Sequence, residues 1–163
     1  MVLILTTGGT IDKVYFDAKS EYAVGEPQAA YILREAGVTT PFQVRTLLQK
    51  DSLEMTAADR ELVAAHVRLA EETRILVTHG TDTMVETARA VAPVAAEGGK
   101  TIVLVGSLSP ALHRSTDADF NLGFAFAAVQ TLSPGVYVAM NGQVFPADQV
   151  RKNREANRFE RVG

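Results

Sequence analysis

Val2-Leu3-Ile4-Leu5-Thr6-Thr7-Gly8-Gly9-Thr10-Ile11 is the stretch on which the fold turns. Its apolar run, broken at once by two glycines, has the pattern of a buried parallel strand feeding a tight loop. The glycines let the backbone turn sharply and approach a ligand closely. Thr10 then offers a hydroxyl at the end of that strand.

Working outward, strands and helices alternate. Residues 12–25 are polar with scattered aromatics and predict a loop or hairpin. A helix is expected over residues 27–37, with proline in its first turn and Gly37 as its stop. Residues 42–48 are the second strand. Thr56-Ala57-Ala58-Asp59 resembles a capping box and opens a helix with Leu62, Val63, His66, Leu69 and Ala70 on one face. Residues 74–77 are the third strand. The helix after Thr83 should bury Met84, Val85, Ala88, Val91 and Ala92. Residues 101–105 and 136–140 are the fourth and fifth strands. Between them, residues 121–130 form a helix apolar nearly all round, which is buried or lies in a subunit interface. The tail from Asp148 is charged and lacks a period.

This alternation predicts an α/β fold: a doubly wound, mainly parallel sheet with helices on both faces, as a single domain over residues 1–163. Ligands in such folds bind beyond the carboxyl ends of the strands. The loops after the first four strands are therefore the places to search.

Composition narrows the chemistry. A chain of 163 residues can bury roughly 70% of its unfolded surface and needs no staples. It has no cysteine, which excludes disulfides and thiolate metal sites. A net charge of −3 without a basic run argues against nucleic acid. No apolar stretch approaches membrane-spanning length, and the run at Val2 is too short for a signal peptide. A cytoplasmic protein that does not bind membranes is the expectation. No histidine pair has His-x-x-x-His spacing, and Asp117-x-Asp119-x-Asn121 lacks the glycine and glutamate of a calcium loop. Neither a metal nor a cofactor is expected, and those aspartates should cap the helix that follows. His66 reads as a core residue and His113 as part of a polar loop.

Three segments can carry chemistry. Thr7-Gly8-Gly9-Thr10-Ile11 offers a hydroxyl nucleophile, or only a tight turn. Thr78-His79-Gly80-Thr81-Asp82-Thr83 places two hydroxyls and a carboxylate where a strand gives way to a helix, whose free N–H groups can polarise a carbonyl. Asp82 could hold a cationic amine, or Asp82 or Thr83 could simply cap the helix. Asp51-Ser52-Leu53-Glu54 follows the second strand, and Ser52 could donate to a carboxylate or sit in a plain loop.

Together these segments resemble the bacterial-type asparaginases, with their Thr-Gly-Gly-Thr-Ile and Thr-His-Gly-Thr-Asp-Thr signatures. Ser20-Glu21-Tyr22-Ala23-Val24-Gly25 is similar to the family's flexible active-site loop, and Val105-Gly106-Ser107 and Phe120-Asn121-Leu122 match further stretches. The resemblance implies an amidohydrolase acting on L-asparagine, more weakly on L-glutamine; the apolar helix over residues 122–129 needs cover and predicts a homo-oligomer, a dimer or larger. The resemblance also implies Thr10 as nucleophile, Tyr22 as its assistant, Ser52 on the substrate carboxylate, Thr81 in a second catalytic group and Asp82 on the α-amine. Backbone near Gly9, Thr10, Thr81 and Ser107 would orient the amide. The family lysine that pairs with the second threonine should fall near Leu132, where there is none. Lys152 is the candidate replacement, with Lys13 as rival and Lys100 at the wrong end of the sheet. Ordinary members carry a second, smaller domain, so the chain reads as a short form or a piece. The competing functions are a catalytically weak amino-acid-binding domain and an amidase for a larger amide. Only turnover needs both Thr10 and Thr81.

Overall fold

A computed structural model describes all 163 residues. At its centre is a six-stranded sheet in the order β4-β1-β5-β6-β7-β8. Strand β1 (Val2–Gly8) runs parallel to β4 (Phe42–Lys50) on one side and to β5 (Arg74–Thr78) on the other. β6 (Thr101–Val105) and β7 (Gly135–Met140) continue the parallel series, and β8 (Gln143–Pro146) closes the edge antiparallel to β7. Val2, Leu3, Ile4 and Leu5 are at most 1% exposed, which accounts for their unbroken apolarity. The doubly wound, mainly parallel sheet is as the sequence predicts.

Helices α1 (Ala29–Glu35) and α4 (Ala118–Thr131) pack together on one face, and α2 (Ala57–Leu69) and α3 (Met84–Gly98) on the other. The β5-α3-β6 and β6-α4-β7 crossovers step in the same direction across the sheet with helices on opposite faces. They therefore have opposite hands, and one is left-handed, against a preference of about 98% for the right.

Tertiary packing corrects several local readings. The capping box is present: Thr56 Oγ1 accepts from the Asp59 N–H, and the Asp59 carboxylate accepts from the Thr56 N–H. The face that α2 buries is Val63, Ala64 and Val67, while Leu69 is 81% exposed and His66 is half-buried, donating to the Leu62 carbonyl. Neighbouring α3 takes the smaller, β-branched side of α2, which carries the rim leucines out to solvent. Likewise Val94 and Ala95 of α3 are buried in place of Ala92.

One side of α4 is buried within the chain itself. Leu122, Ala125, Phe126 and Val129 enter the chain's own core, and Phe126 meets Phe42 edge-on. The other side of α4 leaves Phe120 62% exposed and stacked on Phe124. Asp117 does not cap α4: its carboxylate accepts from the Leu108 and Ser109 N–H groups and from Asn121 Nδ2.

The tail is ordered. β9 (Val150–Asn153) and β10 (Arg158–Arg161) form a hairpin. It is pinned to the core by Val150 and Phe159, which are 0% and 1% exposed. Residues 13–24 form the other hairpin, β2 (Lys13–Phe16) and β3 (Glu21–Val24).

Candidate active site

Four loops meet beyond the carboxyl ends of β4, β1, β5 and β6. Gly9 has φ 90°, and a Cβ built there would collide with the backbone of His79 and Gly80. A Cβ on Gly80 would lie 2.6 Å from the Ser52 Cβ and Oγ. The Thr10, Thr81 and Ser52 loops are therefore stacked at a distance only glycine permits. Hydrogen bonds lock the stack. The Gly9 N–H donates to Lys50 O (2.9 Å), the His79 N–H to Val105 O (2.9 Å) and the Ala111 N–H to Ile11 O (3.1 Å). Thr83 Oγ1 donates to Ser52 O (2.7 Å) and Thr7 Oγ1 to Thr78 O (2.9 Å). Thr83 stands at the N-cap of α3 without a side-chain capping bond, because its hydroxyl is spent on the neighbouring loop.

His79 belongs to this scaffold. It is fully buried, and burial lowers its pKa from 6.5 to about 4, with Arg60 adding to the effect and the Gly80 carbonyl opposing it. The ring is thus neutral at pH 7. Nδ1–H donates to Gly80 O and Nε2 accepts from Thr87 Oγ1, both at 2.7 Å.

One flank of the stack holds a cavity of about 360 Å³ lined by Thr10, Lys13, Tyr22, Ser109, Pro110 and His113, among others. Tyr22, on β3, stacks obliquely on Tyr15 and places its hydroxyl 3.0 Å from His113 Nε2. Lys13 is paired with Asp51 at 2.8 Å. Burial pushes the Asp51 carboxyl up, but the Lys13 ammonium and the Leu53 N–H together outweigh it and hold it below its ordinary value.

On the other flank the β9–β10 hairpin delivers Lys152. Its Nζ donates to Thr81 Oγ1 and to Asp82 Oδ1, both at 2.8 Å, and its side chain is only 11% exposed. Arg154 Nε lies 3.8 Å from the same Asp82 oxygen. A lysine, a threonine and an aspartate in contact can pass a proton to or from the hydroxyl. Lys13 is occupied at Asp51, and Lys100 donates to the Val67 and Ala70 carbonyls at the opposite end of the sheet.

The residues singled out in the sequence thus gather around one stack. Gly9 and Thr10 lie in one loop, Thr81 and Asp82 in another, and Ser52 beneath Gly80. Ser107 is buried at the end of β6 and donates to Ser109 O at 2.6 Å. Ser52 is only 2% exposed, so a ligand reaches its hydroxyl only where its neighbours give way. The partnership of Tyr22 with His113, 91 residues away, has no signal in periodicity or spacing. Nor does the buried Asp12 at the foot of the β2–β3 hairpin.

The family described as asparaginase, N-terminal, matches residues 1–160. The L-asparaginase of Thermococcus kodakarensis is 31% identical over 156 residues, covering 93% of this chain and 47% of the relative. A glutamyl-tRNA(Gln) amidotransferase subunit from the same organism is 30% identical, covering 87% of this chain and 33% of the relative. In the solved structures, the thermostable L-asparaginase from Thermococcus kodakarensis superposes with a TM-score of 0.84 at 28% identity, over 99% of this chain and 51% of that one. The chain spans about half the length, or less, of these relatives.

Proposed function

Since this chain belongs to the asparaginase family, through that family's N-terminal domain, we propose that it is an amidohydrolase that converts L-asparagine to L-aspartate and ammonia, with L-glutamine a poorer substrate. The observation that carries the reading is Lys152 Nζ at 2.8 Å from both Thr81 and Asp82, on a loop stacked directly against that of Thr10. A bare threonine is a weak nucleophile and needs a proton acceptor beside it. Here Thr81 touches Lys152, and Thr10 lines the same cavity as Tyr22.

In this reading the Thr10 oxygen attacks the side-chain carboxamide carbon as its own proton leaves toward Tyr22. The carbonyl electron pair moves onto oxygen, where backbone N–H groups of the stacked loops receive it. When the tetrahedral species collapses, the C–N bond breaks and ammonia departs with the transferred proton. Thr81 and Lys152 then help water cleave the Thr10 ester. Ser52 and Asp82 would read the substrate's carboxylate and ammonium, and backbone near Gly9 and Ser107 would orient the amide. Asp82 already faces Lys152 and Arg154, so an incoming ammonium must share its carboxylate with them. Self-association and a cytoplasmic setting complete the reading.

Ammonia release assayed over free asparagine, glutamine and larger amides tests it. Thr10→Ala and Thr81→Val should each lower kcat by at least about 10²-fold while the fold survives. Near wild-type turnover in either variant would remove that threonine from the mechanism. Binding of asparagine without ammonia would favour an amino-acid-binding domain instead. The likeness to a glutamyl-tRNA(Gln) amidotransferase component supports a second reading, in which the amide is hydrolysed only alongside a partner protein.

A further inference from the structure

We propose that His113 is the residue through which Tyr22 works, taking up the phenolic proton and giving it back. This rests on the amidohydrolase reading and adds to it a positioning residue that acts through Tyr22. The contact is Tyr22 OH to His113 Nε2 at 3.0 Å, with ring centroids 5.7 Å apart at the mouth of the cavity that Thr10 lines.

Counting hydrogens gives this chain of hydrogen bonds a consistent direction, which measuring the His113 tautomer tests. Ser109 Oγ lies 3.3 Å from the Ser115 carbonyl, which can only accept, so Ser109 donates there. The same oxygen sits 3.4 Å from His113 Nδ1, and with its hydrogen committed it accepts from Nδ1–H. A neutral imidazole carries one hydrogen, so Nε2 is left as an acceptor and Tyr22 O–H donates to it. The donors run in one sense, from Tyr22 to His113 to Ser109 to Ser115.

The chemistry needs such an acceptor. A phenol has an ordinary pKa near 10 and is a poor base at neutral pH. It can take the Thr10 proton only by passing its own hydrogen on. Histidine is the side chain whose ordinary ionisation lies between about pH 5 and 8, so it can hold that proton briefly. As the Thr10 oxygen bonds to the amide carbon, the Thr10 proton moves to the Tyr22 oxygen and the Tyr22 proton moves to His113 Nε2. When the C–N bond breaks, the same path runs backward and the proton leaves on ammonia. Water, helped by Thr81 and Lys152, then cleaves the ester and returns a hydrogen to Thr10, so the sum is amide plus water giving carboxylic acid plus ammonia.

The ionisable groups around His113 are Tyr22 and Tyr15 from the hairpin, Lys13 in the same cavity with Asp51 beside it, and its chain neighbours Arg114 and Asp117. Asp117 is engaged by the N–H groups of Leu108 and Ser109.

The test is the pH profile of kcat in His113→Gln, which keeps an acceptor for Tyr22 but cannot hold a proton. The expected result is a loss in kcat of about 10²-fold, an unchanged KM and disappearance of the acid limb. Tyr22→Phe with His113→Gln should be no slower than Tyr22→Phe alone. His66→Gln, half-buried on α2 and outside this cavity, should behave as wild type. Nitrogen NMR of the wild-type protein should show the His113 hydrogen on Nδ1. An active wild type whose kcat and acid limb survive His113→Gln would overturn the relay and leave the amidohydrolase reading intact. So would a loss confined to KM. No ammonia from wild type with any amide would overturn both.

Discussion

Replacing Asp12 by asparagine should stabilise the protein above neutral pH and leave it unchanged near pH 4. Asp12 follows the Thr10 loop and is only 2% exposed. Its Oδ1 accepts from the Gln28 N–H at 2.9 Å, its main-chain carbonyl accepts from the Gly25 N–H at 2.8 Å, and its Oδ2 has no partner. Burial raises its pKa from 3.8 to about 7; the Gln28 N–H opposes the rise and Glu26 adds to it. In the unfolded chain the carboxyl ionises near 3.8, whereas in the folded chain it stays neutral up to about 7. Stability is therefore full below pH 4, falls as pH rises between those two values, and is flat above. A displacement of about three pH units at 1.36 kcal/mol each corresponds to a cost on the order of 4 kcal/mol at pH 8. Asparagine keeps the acceptor for Gln28 and removes the charge. Urea unfolding of both proteins from pH 4 to 9, followed by far-ultraviolet circular dichroism, should give curves that coincide at pH 4 and separate progressively to pH 7. Parallel curves, with one constant difference at every pH, would refute the neutral buried carboxyl. The same variant should make the β2–β3 hairpin hold more firmly in alkaline solution, since Asp12 ties its two ends.

Other substitutions probe the site itself. Lys152→Met should lower kcat by at least about 10²-fold. Lys152→Arg separates charge from proton transfer, because a guanidinium stays protonated: recovery of activity would mean that Lys152 only neutralises Asp82. Asp82→Asn should cost asparagine about 2–5 kcal/mol in kcat/KM, and far less for an analogue lacking the α-amine. Equal losses would assign Asp82 to holding Lys152. Gly80→Ala should destabilise the fold by about 1–3 kcal/mol, since the new methyl group meets Ser52 in a packed site. An unchanged urea midpoint would show that the loops are not held in contact.

Part of this protein is legible in its sequence. The apolar run at Val2–Leu5 suits only a buried strand, because in a sheet covered on both faces every position needs an apolar side chain. The Gly8-Gly9 segment announces a tight loop because glycine tolerates its positive φ, and Gly80 announces a close approach because a Cβ there would meet Ser52. Thr56 and Asp59 mark a helix start by a contact three residues long. These are local matters, settled by neighbours in the chain. The packed face of α2 escapes such reasoning because 3.6-residue periodicity gives a stripe, and only α3 decides which edge of that stripe is covered. The tail carries no period, yet Val150 and Phe159 fix it to the core as a hairpin, and that alone brings Lys152 to Thr81. His113 is one polar loop residue among several until the β2–β3 hairpin folds Tyr22 over it. Asp12 reads as an ordinary aspartate because burial belongs to the whole fold. Sequence reaches as far as bonds between near neighbours carry it. Contacts between residues about 70 or 90 positions apart exist only once the sheet has been assembled.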